Sequence, residues 1–229
     1  DDAGIVAGLR AVKSEAEIVK IAHSCAIAGR AFDRVGEIAQ PGVPLSTVFR
    51  NFQRLLLEEG ADWVPYIAGG AGPMGYADVI SPAGEAPLSA GEVLMLDTGA
   101  VWDGYFCDYD RNFAIGHATA EQSAAHARLI EATEAGEEAA RVGASASDVW
   151  RAMARITGSD ETSGRLGHGL GMQLTEGLSL THKDHSVLKP GMVITLEPGL
   201  ELASGMIMVH EENIVIREGR AQRLSRFAA

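Results

Sequence analysis

The sequence predicts an α+β fold built from two like halves, each running helix, helix, strand, strand. Two internal matches and a repeated order of helix and turn signals predict it. Residues 91–99 read GEVLMLDTG and residues 191–199 read GMVITLEPG, sharing G-x-V-[LI]-x-L-[DE]-x-G at a spacing of 100 residues. Upstream, GVPLSTVFRNF from Gly42 and GASASDVWRAM from Gly143 share G-x-x-x-S-x-V-[FW]-R. A period this long is not that of a solenoid. It reads as one domain over residues 1–229, made of halves at about 14–115 and 119–217 that face each other across a pseudo-twofold axis. Helices then pack outside a curved antiparallel sheet. Asp97 and Glu197, at like places in the two copies, approach one centre from opposite sides.

Each element has a local reason. Residues 1–13 are a lead-in. Ser14-Glu15-Ala16-Glu17 is a capping box. Ile18, Ile21, Ala22, Cys25 and Phe32 then recur at helical spacing, and Pro41-Gly42 stops the helix. A second helix runs from about Ser46 to Glu59, with Phe49, Phe52, Leu55 and Leu56 inward. GGAGPMG at 69–75 carries too much glycine for a helix or strand and reads as a loop. Strands follow at 93–98 and 105–114. In the second half Thr119-Ala120-Glu121-Gln122 is a capping box opening a helix to about Val142. Ser147 caps another helix to about Ile156. GRLGHGLG at 164–171 is a glycine-rich segment, and strands follow near 193–197 and 206–217.

The chain has 229 residues and a formal net charge of −12. That excess of acid argues against nucleic acid, whose phosphates demand a basic face. No apolar run approaches membrane-spanning length and no secretory signal opens the chain, so no membrane partner is expected. Cys25 and Cys107 form neither a disulfide framework nor a zinc knuckle, and a reducing cytoplasm is the default location.

The chemistry concentrates on a hairpin. Asp103-Gly104 between two strand-like runs favours a type I′ turn. Residues then pair so that their numbers sum to 207, which sets Asp97 opposite Asp110 and Gly99 opposite Asp108. Alternation puts Asp97, Asp108 and Asp110 on one face. Asp97 and Asp108 become diagonal neighbours at roughly 7–8 Å, within reach of one ion. Three acids there repel each other unless a divalent metal intervenes, and the flanking VLML and YF argue for burial rather than a solvated acidic strand.

Further ligands follow from the duplication. Glu197 ends a buried strand at the place equivalent to Asp97. Glu211 opens ENIVI. A lone Glu there is usually at the surface, and it gains weight only if each half gives two acids. The adjacent Glu212 faces the other way and serves as a control. His168 in LGHGLG is flanked by glycines that let the backbone approach a site closely. His23, His117 and His126 read as surface or core residues, whereas His182, His185 and His210 lie near the proposed centre. Four carboxylates and one imidazole suit manganese, iron or cobalt, with zinc as an alternative. So many acids exceed the needs of one divalent ion, and two ions about 3.5 Å apart balance them.

D-x-G, then G-Y-x-x-D-x-x-R, G-H-G-x-G, L-E-P-G and a late E-[ED]-x-[VI] together resemble the pita-bread metallopeptidases (family M24), which include methionine aminopeptidase, aminopeptidase P, prolidase and creatinase. The resemblance covers nearly the whole chain. It implies the pita-bread fold, with Asp97 on one metal, His168 and Glu197 on the other, and Asp108 and Glu211 bridging both. LRAVKSEAEI resembles the joint at which aminopeptidase P and prolidase relatives leave an N-terminal domain, so a separate domain is expected to be missing here. Relatives are often dimers, which makes a homodimer the assembly the resemblance implies.

The substrate shell departs from the family. Xaa-Pro peptidases carry a His seven residues after the metal His, where this chain has Thr175, and another about seventeen residues before the first Asp, where it has Ile80. An Arg often precedes the last Glu by two residues, where this chain has Val209. The missing imidazoles are expected to hold the substrate carbonyl. Thr175 and Ile80, with Asp110 and His182, are the candidate residues of the substrate pocket or of the layer behind the ligands. Three readings follow. The first is a dinuclear hydrolase cleaving a small peptide or amide, in which a hydroxide between the metals attacks the carbonyl and Glu197 shuttles the proton beside His168. The second is a metal-dependent enzyme on a small amino-acid-like or compatible-solute substrate, which Thr175 and Ile80 favour. The third is a non-catalytic binding domain, which the retention of all five ligands disfavours.

Overall fold

The computed structural model describes residues 4–80 and 82–225. Five helices occur among them: α1 (Ile5–Ala11), α2 (Glu15–Asp33), α3 (Leu45–Glu58), α4 (Ala120–Ala139) and α5 (Ala146–Thr157). The strands are β1 (Trp63–Gly72), β2 (Val93–Trp102), β3 (Tyr105–Phe106), β4 (Tyr109–Ala114), β5 (Val193–Leu196), β6 (Gly199–Glu201), β7 (Ile207–Val209), β8 (Glu212–Val215) and β9 (Gln222–Arg223). All strand pairs are antiparallel.

Both capping boxes form as the sequence predicts, Ser14 with Glu17 and Thr119 with Gln122. Several boundaries differ. The lead-in contains α1. The helix opened by Ser14 ends at Asp33, and a short 3-10 turn over Val35–Glu37 carries the chain on toward Pro41. α4 ends at Ala139 rather than near Val142. The cap of α5 is Ser145, whose hydroxyl accepts from the Asp148 N–H while the Asp148 side chain reaches back; Ser147 lies inside the helix and is buried. An acid three residues after Ser145 completes the box there.

β1 corrects the reading of 69–75 as a loop over its first four residues, 69–72, while 73–75 form the turn that leaves the strand. Its glycines belong to a strand that lies too close to its neighbours for side chains. A Cβ on Gly69 would stand 2.1 Å from the Met95 carbonyl oxygen, and one on Gly72 would stand 2.3 Å from that of Gly75.

The hairpin forms in the predicted register. Asp103 and Gly104 both have positive φ, at 47° and 79°, as a type I′ turn requires. Trp102 pairs with Tyr105, and Asp97 with Asp110. The partner strand is interrupted at residues 107 and 108, between β3 and β4. Leu94 and Leu96 of β2 pack into a core with α2 and α3, where Ile21, Cys25, Phe52 and Leu55 are fully buried. Val93 and Met95 point the other way, into a small cluster with Tyr76, Leu129 and Met208. Asp97 continues that second face by alternation.

The second half is built alike. Ile194 and Leu196 of β5 pack with Val149, Trp150 and Met153 of α5, and β8 pairs with β5 from Leu196↔Glu212 to Val193↔Val215. The predicted strand over 206–217 is two strands, β7 and β8, broken at His210-Glu211.

Candidate metal centre

The hydrogen-bond register of β5 and β8, extended by one residue, sets Glu197 opposite Glu211, as that of β2 and β4 sets Asp97 opposite Asp110. Metal-ligating atoms of Asp108, His168, Glu197 and Glu211 lie within 4.8 Å of one another, with three of the four residues buried and Glu197 half-buried. Asp108 comes from the break in the first hairpin, Glu211 from the break between β7 and β8, Glu197 from the end of β5, and His168 from the glycine-rich segment bridged to β5 at Gly169↔Ile194. Asp97, at the centre of β2, lies outside that group of four but close enough to feel its charges. The buried carboxyl groups of Asp108 and Glu197, along with Asp110, all act on its charge.

Two of the five predicted ligands carry buried oxygens with no hydrogen-bond partner, Oδ1 of Asp97 and Oε1 of Glu211. Buried carboxylate oxygens ordinarily have partners. The charges confirm the conflict. Burial, together with neighbouring acids, raises Asp97 and Glu211 well above the usual carboxylate range. Burial pushes Asp108 up to about 6, against the opposing pull of His168. Burial would lower His168, but the Asp108 and Glu197 carboxylates outweigh it and raise the imidazole to about 10. Desolvation would raise the half-buried Glu197 too, yet His168 and Thr195 hold it below its usual value. A cluster that draws a proton onto its own imidazole is short of positive charge. Oxygen donors with one nitrogen, two of them orphaned, fit divalent metal ions.

The imidazole is set up to donate one nitrogen to a cation. His168 Nδ1 is 2.9 Å from the Gly169 carbonyl, leaving Nε2 toward the acids, 2.9 Å from Glu197 Oε1 and 3.2 Å from Asp108 Oδ2. A backbone acceptor on the far nitrogen fixes ring orientation in this way in metal sites generally. Thr195 hydrogen-bonds Glu197 Oε1 and accepts from the His168 N–H at 3.0 Å.

Among the candidate pocket residues, Thr175 lies at the centre: its Oγ1 is 3.5 Å from His168 Nε2. Asp110 lies behind the ligands, accepting the Glu211 N–H at 3.2 Å on Oδ1. Burial pushes it up to about 6. Ile80 is 77 % exposed, its N–H bound to Asp78. His182 belongs elsewhere: it packs 5.6 Å from the Trp150 ring, with Nε2 3.8 Å from Glu161. His185 sits 3.3 Å from Ser147 Oγ. His210 is fully buried behind the cluster, with Nε2 3.3 Å from Glu212 and Nδ1 3.8 Å from Asp110. Its ring lies 5.8 Å from that of His126.

Glu212 does face away from the cluster, as its alternation predicts. It is fully buried, and Arg111 Nη2 donates to both its oxygens at 3.1 Å. Arg111 Nη1 also donates to the Glu211 carbonyl at 3.0 Å and to that of Asp110 at 2.6 Å. Arg111 stands in the G-Y-x-x-D-x-x-R phrase, but its work on Glu211 was not readable there. Thr195, Tyr66 and Asn213 were missed as well. Burial and then the Asp97 charge raise the Tyr66 phenol. Asn213 Oδ1 accepts the Asp108 N–H at 2.9 Å. Only the alternation of Thr195 with Glu197 signalled any of these three.

Residues 19–218 match the model of metallopeptidase family M24. The Xaa-Pro dipeptidase of Pyrococcus furiosus is 29 % identical over 97 % of this chain and 65 % of its own length. A probable dipeptidase, PepE, of Mycobacterium bovis is 30 % identical over 84 % of this chain and 52 % of its own length. This chain therefore spans between half and two thirds of those relatives. The solved prolidase from Pyrococcus furiosus superposes with a TM-score of 0.90 at 26 % identity, covering 98 % of this chain and 68 % of that one. The pita-bread fold expected from the motifs is the fold these structures share. The matched stretch of residues 19–218 takes in Asp97, Asp108, His168, Glu197 and Glu211, and by that match the chain belongs to metallopeptidase family M24.

Proposed function

We propose that the chain is the catalytic domain of a metal-dependent hydrolase that cleaves the amide bond of a short peptide of the Xaa-Pro type. The carrying observation is the convergence of Asp108, His168, Glu197 and Glu211 from both halves within 4.8 Å, beside orphaned oxygens on Asp97 and Glu211. A pair of divalent ions, manganese being the expected metal, supplies the charge that polarises an amide carbonyl and acidifies a water molecule. Asp97, Asp108, His168, Glu197 and Glu211 would hold that pair.

The remaining work falls to the chain. Glu197 has Oε1 engaged by Thr195 and His168, so Oε2 is left to accept the water proton and return it to the departing amine. The buried walls of the cluster keep the charges poorly screened, which strengthens their action on a developing oxyanion. Thr175, beside His168, offers a hydroxyl where the Xaa-Pro phrase has an imidazole. That observation favours the second reading, a small amino-acid-like or compatible-solute substrate.

The test strips the chain with chelator, reloads it with manganese, cobalt or zinc, and assays Xaa-Pro dipeptides beside small non-peptide amides. Hydrolysis of an Xaa-Pro dipeptide, lost on chelation and restored by metal, supports the first reading. Hydrolysis confined to small amides selects the second. Stoichiometric metal with no amide cleaved overturns both.

A further inference from the structure

The first helix reaches the metal centre through one carboxylate. Glu176 follows Thr175 and is nearly buried, its side chain 8 % exposed. Arg10 Nη2 donates to its Oε2 at 2.5 Å, and Lys13 Nζ lies 3.0 Å from its Oε1. Both cations come from α1 and the residues just after it. Lys13 is itself buried, whereas Arg10 remains 30 % exposed at the side chain. Glu176 Oε2 also receives the Gln173 N–H at 3.3 Å, closing the turn that contains Thr175.

The glycines beside His168 are shaped to this carboxylate. The Glu176 N–H donates to the Gly169 carbonyl at 2.8 Å. A Cβ on Gly169 would stand 2.1 Å from the Glu176 carbonyl oxygen. One on Gly171 would stand 2.3 Å from Glu176 Oε1 and 2.9 Å from Lys13 Cε. The glycine-rich loop thus lets Glu176 lie against the His168 backbone while two cations hold its far end. Arg10, Gln173, Thr175 and Glu176 line one cavity of about 350 Å³.

We propose that Glu176 is a positioning residue: clamped by Arg10 and Lys13, it fixes Thr175 against His168 Nε2 and makes the N-terminal segment part of the construction of the site. Two cations share the Glu176 carboxylate, and the Glu17 charge acts on Lys13 as well. Breaking the clamp frees the 173–177 turn and leaves Lys13 buried without that carboxylate. The Glu176 backbone also meets His168 at the Gly169 carbonyl, but that contact does not depend on the side-chain charge; the effect of the carboxylate on His168 Nε2 passes through Thr175, which separates positioning from a general loss of stability. The inference rests on the proposed hydrolase only for its turnover readout.

A double-mutant cycle tests it. Glu176→Gln keeps the side-chain shape and removes the charge. In the native background it is expected to lower kcat/KM about tenfold. In a Thr175→Val background it is expected to change kcat/KM by less than about twofold. The same cycle is read without turnover by the His168 ring resonances of the metal-free protein, which Glu176→Gln moves in the native background and leaves in place beside Thr175→Val. Equal effects in both backgrounds, or none in either, overturn the proposal. Should Glu176→Gln fail to fold, Arg10→Met, at a partly exposed side chain, carries the same cycle. If the native chain cleaves no amide, the hydrolase reading fails while the resonance cycle still decides this one.

Discussion

Asn112 and Asn213 make the same hydrogen bond from opposite halves of the molecule. Asn112 Nδ2 donates to the Val209 carbonyl at 2.6 Å, and Asn213 Nδ2 donates to the Asp108 carbonyl. In the two hairpin registers the asparagines occupy like places, one on β4 and the other on β8. Asn213 grips the break itself at Asp108, and Asn112 grips Val209, the residue just before the break from which Glu211 comes.

That relationship yields the first prediction. Asn213→Ala strips both backbone groups of Asp108 of their partner, and each buried group so left costs about 1–3 kcal/mol. Thermal unfolding should show the loss. Metal titration by calorimetry should show affinity lower by about 10–100-fold, as for other supports of ligand residues. Asn112→Ala, acting on Val209, should cost stability with a smaller effect on metal. Equal metal affinity in Asn213→Ala and the native chain would remove Asn213 from the support of the site.

Glu212 provides the contrasting case. It sits beside Glu211 in sequence but binds Arg111, Ser225 and His210 rather than facing the cluster. Glu212→Ala takes from the buried Arg111 the carboxylate that its Nη2 donates to, and breaking that buried pair should destabilise the chain by about 3–5 kcal/mol in urea unfolding. The number of ions bound per folded chain should not change. A variant that folds normally but loses one ion would place Glu212 among the ligands.

The hairpin shows what could be read from residues alone. Asp-Gly dictates a type I′ turn, the turn fixes the register, and the register fixes which acids share a face; each step is local. The strand at Trp63–Gly72 could not be read that way. Its glycines are explained by Met95 and Gly75, residues that reach it only through the fold. The end of the first long helix at Asp33 was missed because Pro41-Gly42 is the stronger local signal. Two of the candidate ligands were legible because duplication marks Asp97 with Glu197. The groups that hold them were not: Asn213 to Asp108 and Arg111 to Glu211 are contacts between halves, about 100 residues apart, and carry no spacing rule. His182 lies close to the glycine-rich segment in sequence but packs on Trp150 of α5 instead.

The pH dependence of the metal-free chain follows from burial. Asp108 and Asp110, both pushed up to about 6 from an ordinary 3.8, keep protons in the folded state that the unfolded state releases. Stability from these groups is present at acid pH and falls as pH rises through about 6. His168, raised to about 10 from 6.5, has the same sign at higher pH, losing its contribution between those values. Glu197 and Glu212, held below 4.5, act oppositely but only below that pH. Melting temperature of the chelated protein should therefore fall from pH 4.5 to 6 and on toward alkaline pH. Metal requires ionised carboxylates and a neutral imidazole, so its stabilisation should grow over the same range. A chelated protein whose melting temperature rises from pH 4.5 to 6 would contradict the assignment of buried, raised acids.

Thr175 bears on the substrate. Its Oγ1 stands 3.5 Å from His168 Nε2, where the Xaa-Pro phrase carries an imidazole. Thr175→His should raise kcat/KM for an Xaa-Pro dipeptide, by about tenfold or more if the imidazole donates to the developing oxyanion. A steady-state assay of metal-loaded protein measures it. No gain, with metal content unchanged, would show that the missing group at Thr175 is not what limits Xaa-Pro cleavage.

The convergence of acids from both halves on one metal centre is tested most directly by counting ions. Calorimetric titration of the chelated native chain with manganese, beside Asp108→Ala, reads stoichiometry and affinity together. The expected result is two ions per native chain and loss of binding in Asp108→Ala. A native chain that takes up no divalent ion, or an Asp108→Ala chain that keeps the full complement at undiminished affinity, would contradict it.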